Sequence, residues 1–335
     1  MFGAYRILLA LAVVAQHLGG LPLSGVYAVF GFYLLSGYLM THIVQRTYGY
    51  DRRGFMRYAA NRALRIFPAY WAACLVALLL LVLVGEPAAR SFVPSLYLPD
   101  SVGGWLRNIL LWFPALEAPR LSPPSWALTV ELIFYLAIGL GATRSFASAG
   151  LLAALGAGAH ALALLQGLPW EFRYYPALAA ALPFGLGGLL FHSRAWWQPR
   201  LRHAALPALA LGLLAANWGL AHLRRDYFDL HFYLNLVLCA LAVATLLAAG
   251  QRAGPRLRRW DAELGALSYP VYLLHYPLAL VAIAAGLTQR GAAMFLALLP
   301  LVLLASWLCV RWVERPVERW RARLRPGNNA GSGAA

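Results

Sequence analysis

Ten apolar runs, each near the length needed to cross a bilayer, occupy most of this chain: 3–20, 24–44, 67–85, 124–142, 148–166, 174–191, 204–221, 230–249, 265–286 and 292–312. An α-helix needs roughly 20 apolar residues to span the hydrocarbon core. The expected fold is therefore all-α, a polytopic transmembrane helical bundle of about ten spans. Residues 1–320 form its single domain, and 321–335 form a short, disordered cytoplasmic tail. Composition agrees, with 61% hydrophobic and only 12% charged residues. A soluble chain of this length needs more polar surface than that. The first run is not a cleaved signal peptide, since no A-x-A site follows it and the next run begins almost at once. The stretch 104–116, with Trp105 and Trp112, is too short to span comfortably and reads as a re-entrant or interfacial piece.

The formal charge of +16 is carried by arginine alone, because the chain contains no lysine. With the N-terminus in the cytoplasm, 21 arginines fall inside, clustered at 46–65, 194–202, 252–259 and 311–325. Seven remain outside: Arg90, Arg107, Arg120, Arg173, Arg224, Arg225 and Arg290. This bias fits the positive-inside rule with both termini cytoplasmic, and an odd number of spans would scramble it. Nucleic acid is not needed to explain the charge. Cys74, Cys239 and Cys309 each sit inside an apolar run without metal-ligand spacing, and are assigned to packing, with no metal site.

Ionisable groups inside spans are expensive, so each is a functional candidate. His17 lies in the outer part of the first run, Glu131 in the fourth, and His275 in the middle of the ninth. A single intramembrane histidine is as often a helix–helix hydrogen-bond partner as a catalyst. Three such groups in separate spans point to a shared polar cavity. His42 and His160 are isolated or close to span ends and are assigned to packing. Before the third run, Arg62 and Arg65 are i and i+3 neighbours if the segment is helical up to Pro68. Two adjacent guanidiniums suit phosphate oxygens, although anchoring to anionic lipid is the plainer reading of the spacing alone. Glycines and aromatics alternate from Gly25 to Tyr38. Tight helix packing explains that pattern, and so does a slot for a ligand's acyl chain or pantetheine arm beside Ser36 and Gly37. No G-x-S-x-G elbow, H-E-x-x-H or Walker loop occurs.

Five stretches, in order, resemble the membrane-bound acyltransferase-3 family, which acylates bacterial cell-surface and secreted carbohydrates. They are Arg6 through His17; Gly25-Val26 to Ser36-Gly37-Tyr38; Arg62-x-x-Arg65 with Pro68; Ser125-Trp126-Ala127-Leu128-Thr129-Val130-Glu131 to Phe134-Tyr135; and Leu267-Ser268-Tyr269-Pro270 to His275, with Glu314-Arg315-Pro316 closing the last run. Gly31 and Thr129 depart from the family's usual phenylalanine and serine, and neither removes an ionisable group. The resemblance implies transfer of an acyl group, most often acetyl, from acyl-CoA to a sugar hydroxyl, in the bacterial inner membrane. The partners it implies are acyl-CoA as donor co-substrate, a carbohydrate or glycolipid acceptor, and the bilayer, with no permanently bound cofactor.

Three chemical jobs then need residues. Arg62 and Arg65 face the cytoplasm on this topology and suit the CoA phosphates. His17 suits the general base, with Glu131 to orient it. Tyr272 or a protonated His275 suits the oxyanion or acceptor contact, and His275 is the rival base. The competing function is a proton-coupled transporter or flippase, whose intramembrane histidine and carboxylate would relay protons.

Overall fold

The structure is a computed structural model that describes residues 2–113 and 118–324. It contains fourteen α-helices among the described residues, and no strand. They are α1 (Gly3–His17), α2 (Ser24–Ile43), α3 (Arg52–Val84), α4 (Glu86–Phe92), α5 (Val102–Leu110), α6 (Trp126–Gly139), α7 (Phe146–Leu165), α8 (Ala177–His192), α9 (Arg194–Trp197), α10 (Leu206–Arg224), α11 (Leu230–Gly250), α12 (Pro255–Ala284), α13 (Ala292–Cys309) and α14 (Arg315–Arg323). A π-helical turn, Val44–Tyr48, extends α2, and a second, Val310–Glu314, joins α13 to α14.

The chain is an all-α membrane protein. Each of the ten expected apolar runs falls on a helix, and seven helices are long and apolar enough to cross a membrane. The other three, α1, α6 and α8, have 15, 14 and 16 residues. They rise roughly 21–24 Å, against a hydrocarbon core of about 30 Å. The basic segment and the third apolar run form one 33-residue helix with Pro68 inside it. Proline forfeits one backbone bond and bends a helix without having to end it. Residues 321–323 of the expected tail belong to α14, and 325–335 lie outside the described residues.

Contacts divide the chain into two compact units. The first holds residues 1–9, 22–58 and 133–265; the second holds 10–21, 59–132 and 266–335. Helices α1, α3, α6 and α12 contribute residues to both.

In the first unit, α8 packs against α2 and α7, and α11 packs against α2 and α10. The α2–α8 crossing depends on glycine. A Cβ on Gly37 would overlap the Phe184 carbonyl oxygen, and one on Gly187 would overlap that of Leu34. Small residues let two backbones meet this closely in lipid. Pro183 lies inside α8 and cannot donate to the carbonyl of Ala179, four residues earlier. His160 takes that role, with its Nε2 3.1 Å from the Ala179 oxygen. Its Nδ1 then accepts from the Tyr233 hydroxyl at 3.1 Å. Both ring nitrogens are used, and His160 is a packing residue.

The second unit repeats this device. Pro277 inside α12 removes the donor for the Leu273 carbonyl, and the Ser122 hydroxyl donates to it at 3.3 Å. Ser122 belongs to the segment before α6, whose fold is built around Asn108. That side-chain amide donates to the carbonyls of Gly104 and Pro119 and accepts from the Leu121 N–H, at 2.9–3.1 Å. Thr129 ties the end of α5 to α6 by donating to the Leu111 carbonyl at 3.0 Å and accepting from the Phe113 N–H at 3.2 Å. Trp105, Leu106, Ile109, Leu110 and Trp112 remain exposed, so α5 presents an apolar face suited to an interfacial piece.

Candidate active site

His17 is the last residue of α1 and is half-buried, whereas His275 in α12 is fully buried. Nδ1 of His17 lies 2.9 Å from Nε2 of His275, and Nδ1 of His275 lies 3.3 Å from the Val271 carbonyl oxygen. A carbonyl oxygen can only accept, so with both rings neutral Nδ1 of His275 carries the proton that faces Val271. Its Nε2 is then an acceptor, and His17 must donate Nδ1–H into it. Nε2 of His17 therefore keeps its lone pair. One backbone carbonyl thus sets the tautomers of two histidines in series. The Tyr276 ring stacks on His17, with centroids 4.6 Å apart, and limits its rotation.

Tyr272 lies one turn before Tyr276 on α12. Its hydroxyl donates to the Pro124 carbonyl at 2.7 Å, which fixes α12 to the segment that opens α6. Glu131 of α6 and Arg120 lie within electrostatic reach of that hydroxyl. The second unit therefore brings together His17, His275, Tyr272 and Glu131. The orienting hydrogen bond to His17 comes from His275, and the field of Glu131 reaches Tyr272. Sequence assigned the orienting role to Glu131, because a carboxylate does this in a hydrolase triad. No composition or spacing joins two histidines 258 positions apart.

Arg62 and Arg65 also belong to this unit, and both are engaged. Arg65 bonds the Glu314 carboxylate at 2.9 Å, and its guanidinium lies 5.5 Å from the centre of the Tyr269 ring. Arg62 donates to the side-chain oxygen of Asn61. Arg321 of α14 is 3.4 Å from the same oxygen and pairs with Glu318. The turn between α13 and α14 thus supplies a carboxylate to Arg65 of α3, while Glu318 pairs with Arg321 within α14. Ser36 and Gly37 lie in the first unit, where the backbone of α8 closes the Gly37 face of α2. The space that sequence assigned to an acyl chain on that face is filled by a helix. Among the described residues, no three His, Cys, Asp or Glu side chains converge as a metal site requires.

Residues 3–311 match the acyltransferase-3 family, described as an acyltransferase domain. The chain belongs to this family. It is also 26% identical over 322 residues to a putative membrane-bound transacylase, BcsY, of Komagataeibacter xylinus, an alignment covering 92% of this chain and 80% of that protein. No solved structure matches it. The protein is accordingly a membrane acyltransferase, and group transfer is favoured over ion-coupled transport.

Three residues around the candidate site escape a reading of the sequence. Tyr276 reads as one more aromatic in an apolar run. Arg120 reads as a loop arginine, yet it is only 6% exposed and its charge reaches Tyr272. Arg290 reads the same way, and its charge reaches the His17 ring.

Proposed function

We propose that this acyltransferase moves an acyl group, typically acetyl, from acyl-CoA to a hydroxyl of a cell-surface or secreted carbohydrate, with His17 as the general base. The observation that carries this reading is the bond of His17 to His275, which leaves Nε2 of His17 as an oriented proton acceptor. In the reaction, Nε2 removes the proton from the acceptor hydroxyl as its oxygen attacks the thioester carbonyl carbon. The tetrahedral oxyanion collapses with cleavage of the C–S bond. The leaving thiolate takes the proton back from His17, giving free CoA and the new ester. His275 receives the Nδ1–H of His17 throughout and stabilises the transient imidazolium. Tyr272, Glu131 and Arg120 border the site and are assigned to acceptor and oxyanion contacts.

Arg62 and Arg65 are assigned to the CoA phosphates. On the orientation set by the arginine bias they face the cytoplasm, where acyl-CoA is found, in the inner membrane of a bacterium. The phosphates would join or exchange with the Glu314 carboxylate that already pairs with Arg65. The test is transfer of radiolabel from [acetyl-14C]acetyl-CoA by purified protein in the presence of envelope carbohydrate. Alkali-labile label on the carbohydrate is expected. Absence of label, with transfer from a different activated donor, would contradict the choice of acyl-CoA.

A further inference from the structure

Arg290 stands at the end of α1, beside His17. The N–H of Gly291 bonds the carbonyl of Leu18 at 2.9 Å, which ties the residue after Arg290 to the residue after His17. The guanidinium is held from behind. Its Nη2 donates to the Phe92 carbonyl at 2.9 Å, and its carbon lies 4.8 Å from the centre of the Phe92 ring. Phe92 meets Tyr276 edge-on at 6.5 Å, and Tyr276 stacks on His17. Among the described residues, the contacts that fix this cation come from Phe92 alone and carry no negative charge. Among the described residues no carboxylate pairs with Arg290, only one of its N–H groups is used, and the side chain is exposed. A guanidinium carries five donors in a planar fork, so the remaining edge is open to a ligand.

Arg120 is buried and shares its surroundings with Glu131 near Tyr272. A cation beside a ring that must itself become a cation opposes proton transfer, unless an anion lies against it.

We propose that Arg290 binds a negatively charged group of the acceptor, a carboxylate or phosphate on the sugar whose hydroxyl approaches His17. The substrate class is then an acidic sugar unit, and Arg290 selects it against neutral sugars. The inference rests on the acyl-transfer reading of His17 only in calling the bound anion an acceptor.

The test uses the full-length protein in phosphatidylcholine nanodiscs, titrated with D-glucuronate, D-glucose 6-phosphate and D-glucose by saturation-transfer NMR. In the wild type at least one of the two anions should bind about tenfold tighter than glucose, the scale of one charge-assisted contact. Arg290→Gln should bring that anion down to glucose, and Arg290→Lys should restore part of the preference. Which anion wins separates carboxylate from phosphate. Equal affinities for all three sugars in the wild type, no binding of either anion, or an unchanged preference in Arg290→Gln would overturn the proposal. So would an effect of the substitution seen only as altered thermal stability in nanodiscs containing phosphatidylglycerol, which would assign Arg290 to lipid phosphate. Failure of the acyl-transfer reading shows up differently, as no thiol release from acetyl-CoA while glucuronate or the sugar phosphate still binds through Arg290.

Discussion

The guanidinium of Arg65 and the carboxylate of Glu314, 249 positions apart, are joined at 2.9 Å with 20% and 11% of their side chains exposed. The pair fixes the turn between α13 and α14 against α3. Removing one partner leaves a largely buried charge, so Arg65→Ala or Glu314→Ala should each cost about 1–3 kcal/mol. The double variant should cost little more than either single one. Thermal or denaturant unfolding of the four proteins in detergent measures this coupling, and additive losses would contradict it.

The same arginines are assigned to the donor. Arg62→Ala and Arg65→Ala should each weaken acetyl-CoA binding by roughly tenfold, and added salt should weaken wild-type binding. Isothermal titration on the purified variants reads both effects. Wild-type affinity in both single variants would remove these residues from the donor site.

Helices α2 and α8 meet at glycine, so Gly37→Val should be among the most damaging single changes in the first unit. The added side chain meets backbone rather than a mobile side chain, and a loss at the upper end of about 1–3 kcal/mol is expected. Gly158→Ala in α7 is the control, because nothing lies within 4 Å of its added methyl group. Yield and melting temperature after purification compare the two. Equal behaviour would mean that the helices can separate at no great cost.

All three native cysteines are buried, which gives a low background for topology mapping. Cysteines placed at exposed Arg53 and Arg256 should resist a membrane-impermeant thiol reagent in intact cells. Those at exposed Arg107 and Arg224 should react. Arg120 is unsuitable because it is buried. The reverse labelling pattern would invert the orientation and with it the side from which the donor enters.

The helices were legible in the sequence because membrane spans are long, apolar and separated by arginine-rich or turn-forming segments. Their ends were less so. Pro68 reads as a stop for a basic segment, yet α3 runs through it, because the missing N–H is one bond among many in a 33-residue helix. The ionisable residues were legible singly, since a histidine or glutamate in an apolar run stands out. Their pairing was not, because the contact between His17 and His275 depends on how distant helices pack. The glycine stretch of α2 allowed two explanations, and the structure fills the Gly37 face with α8. His160 shows a plainer case: Pro183 frees a carbonyl and a nearby histidine occupies it. That relation joins two local signals, but only packing brings them together.

The most direct test of the account is thiol release from acetyl-CoA by purified wild type, His17→Ala, His275→Ala and His275→Gln, with donor binding measured in parallel. His17→Ala should reduce release to background while acetyl-CoA still binds. His275→Ala should lower the turnover number by about 10²- to 10⁴-fold, the range for loss of an orienting or acid–base group, with the donor KM little changed. His275→Gln, whose amide oxygen can still accept the Nδ1–H of His17, should recover part of that loss. The double alanine variant should be no worse than His17→Ala, because two members of one catalytic unit are not additive. Near-normal turnover in His17→Ala, or full activity in His275→Ala, would contradict the assignment of His17 as a base held by His275.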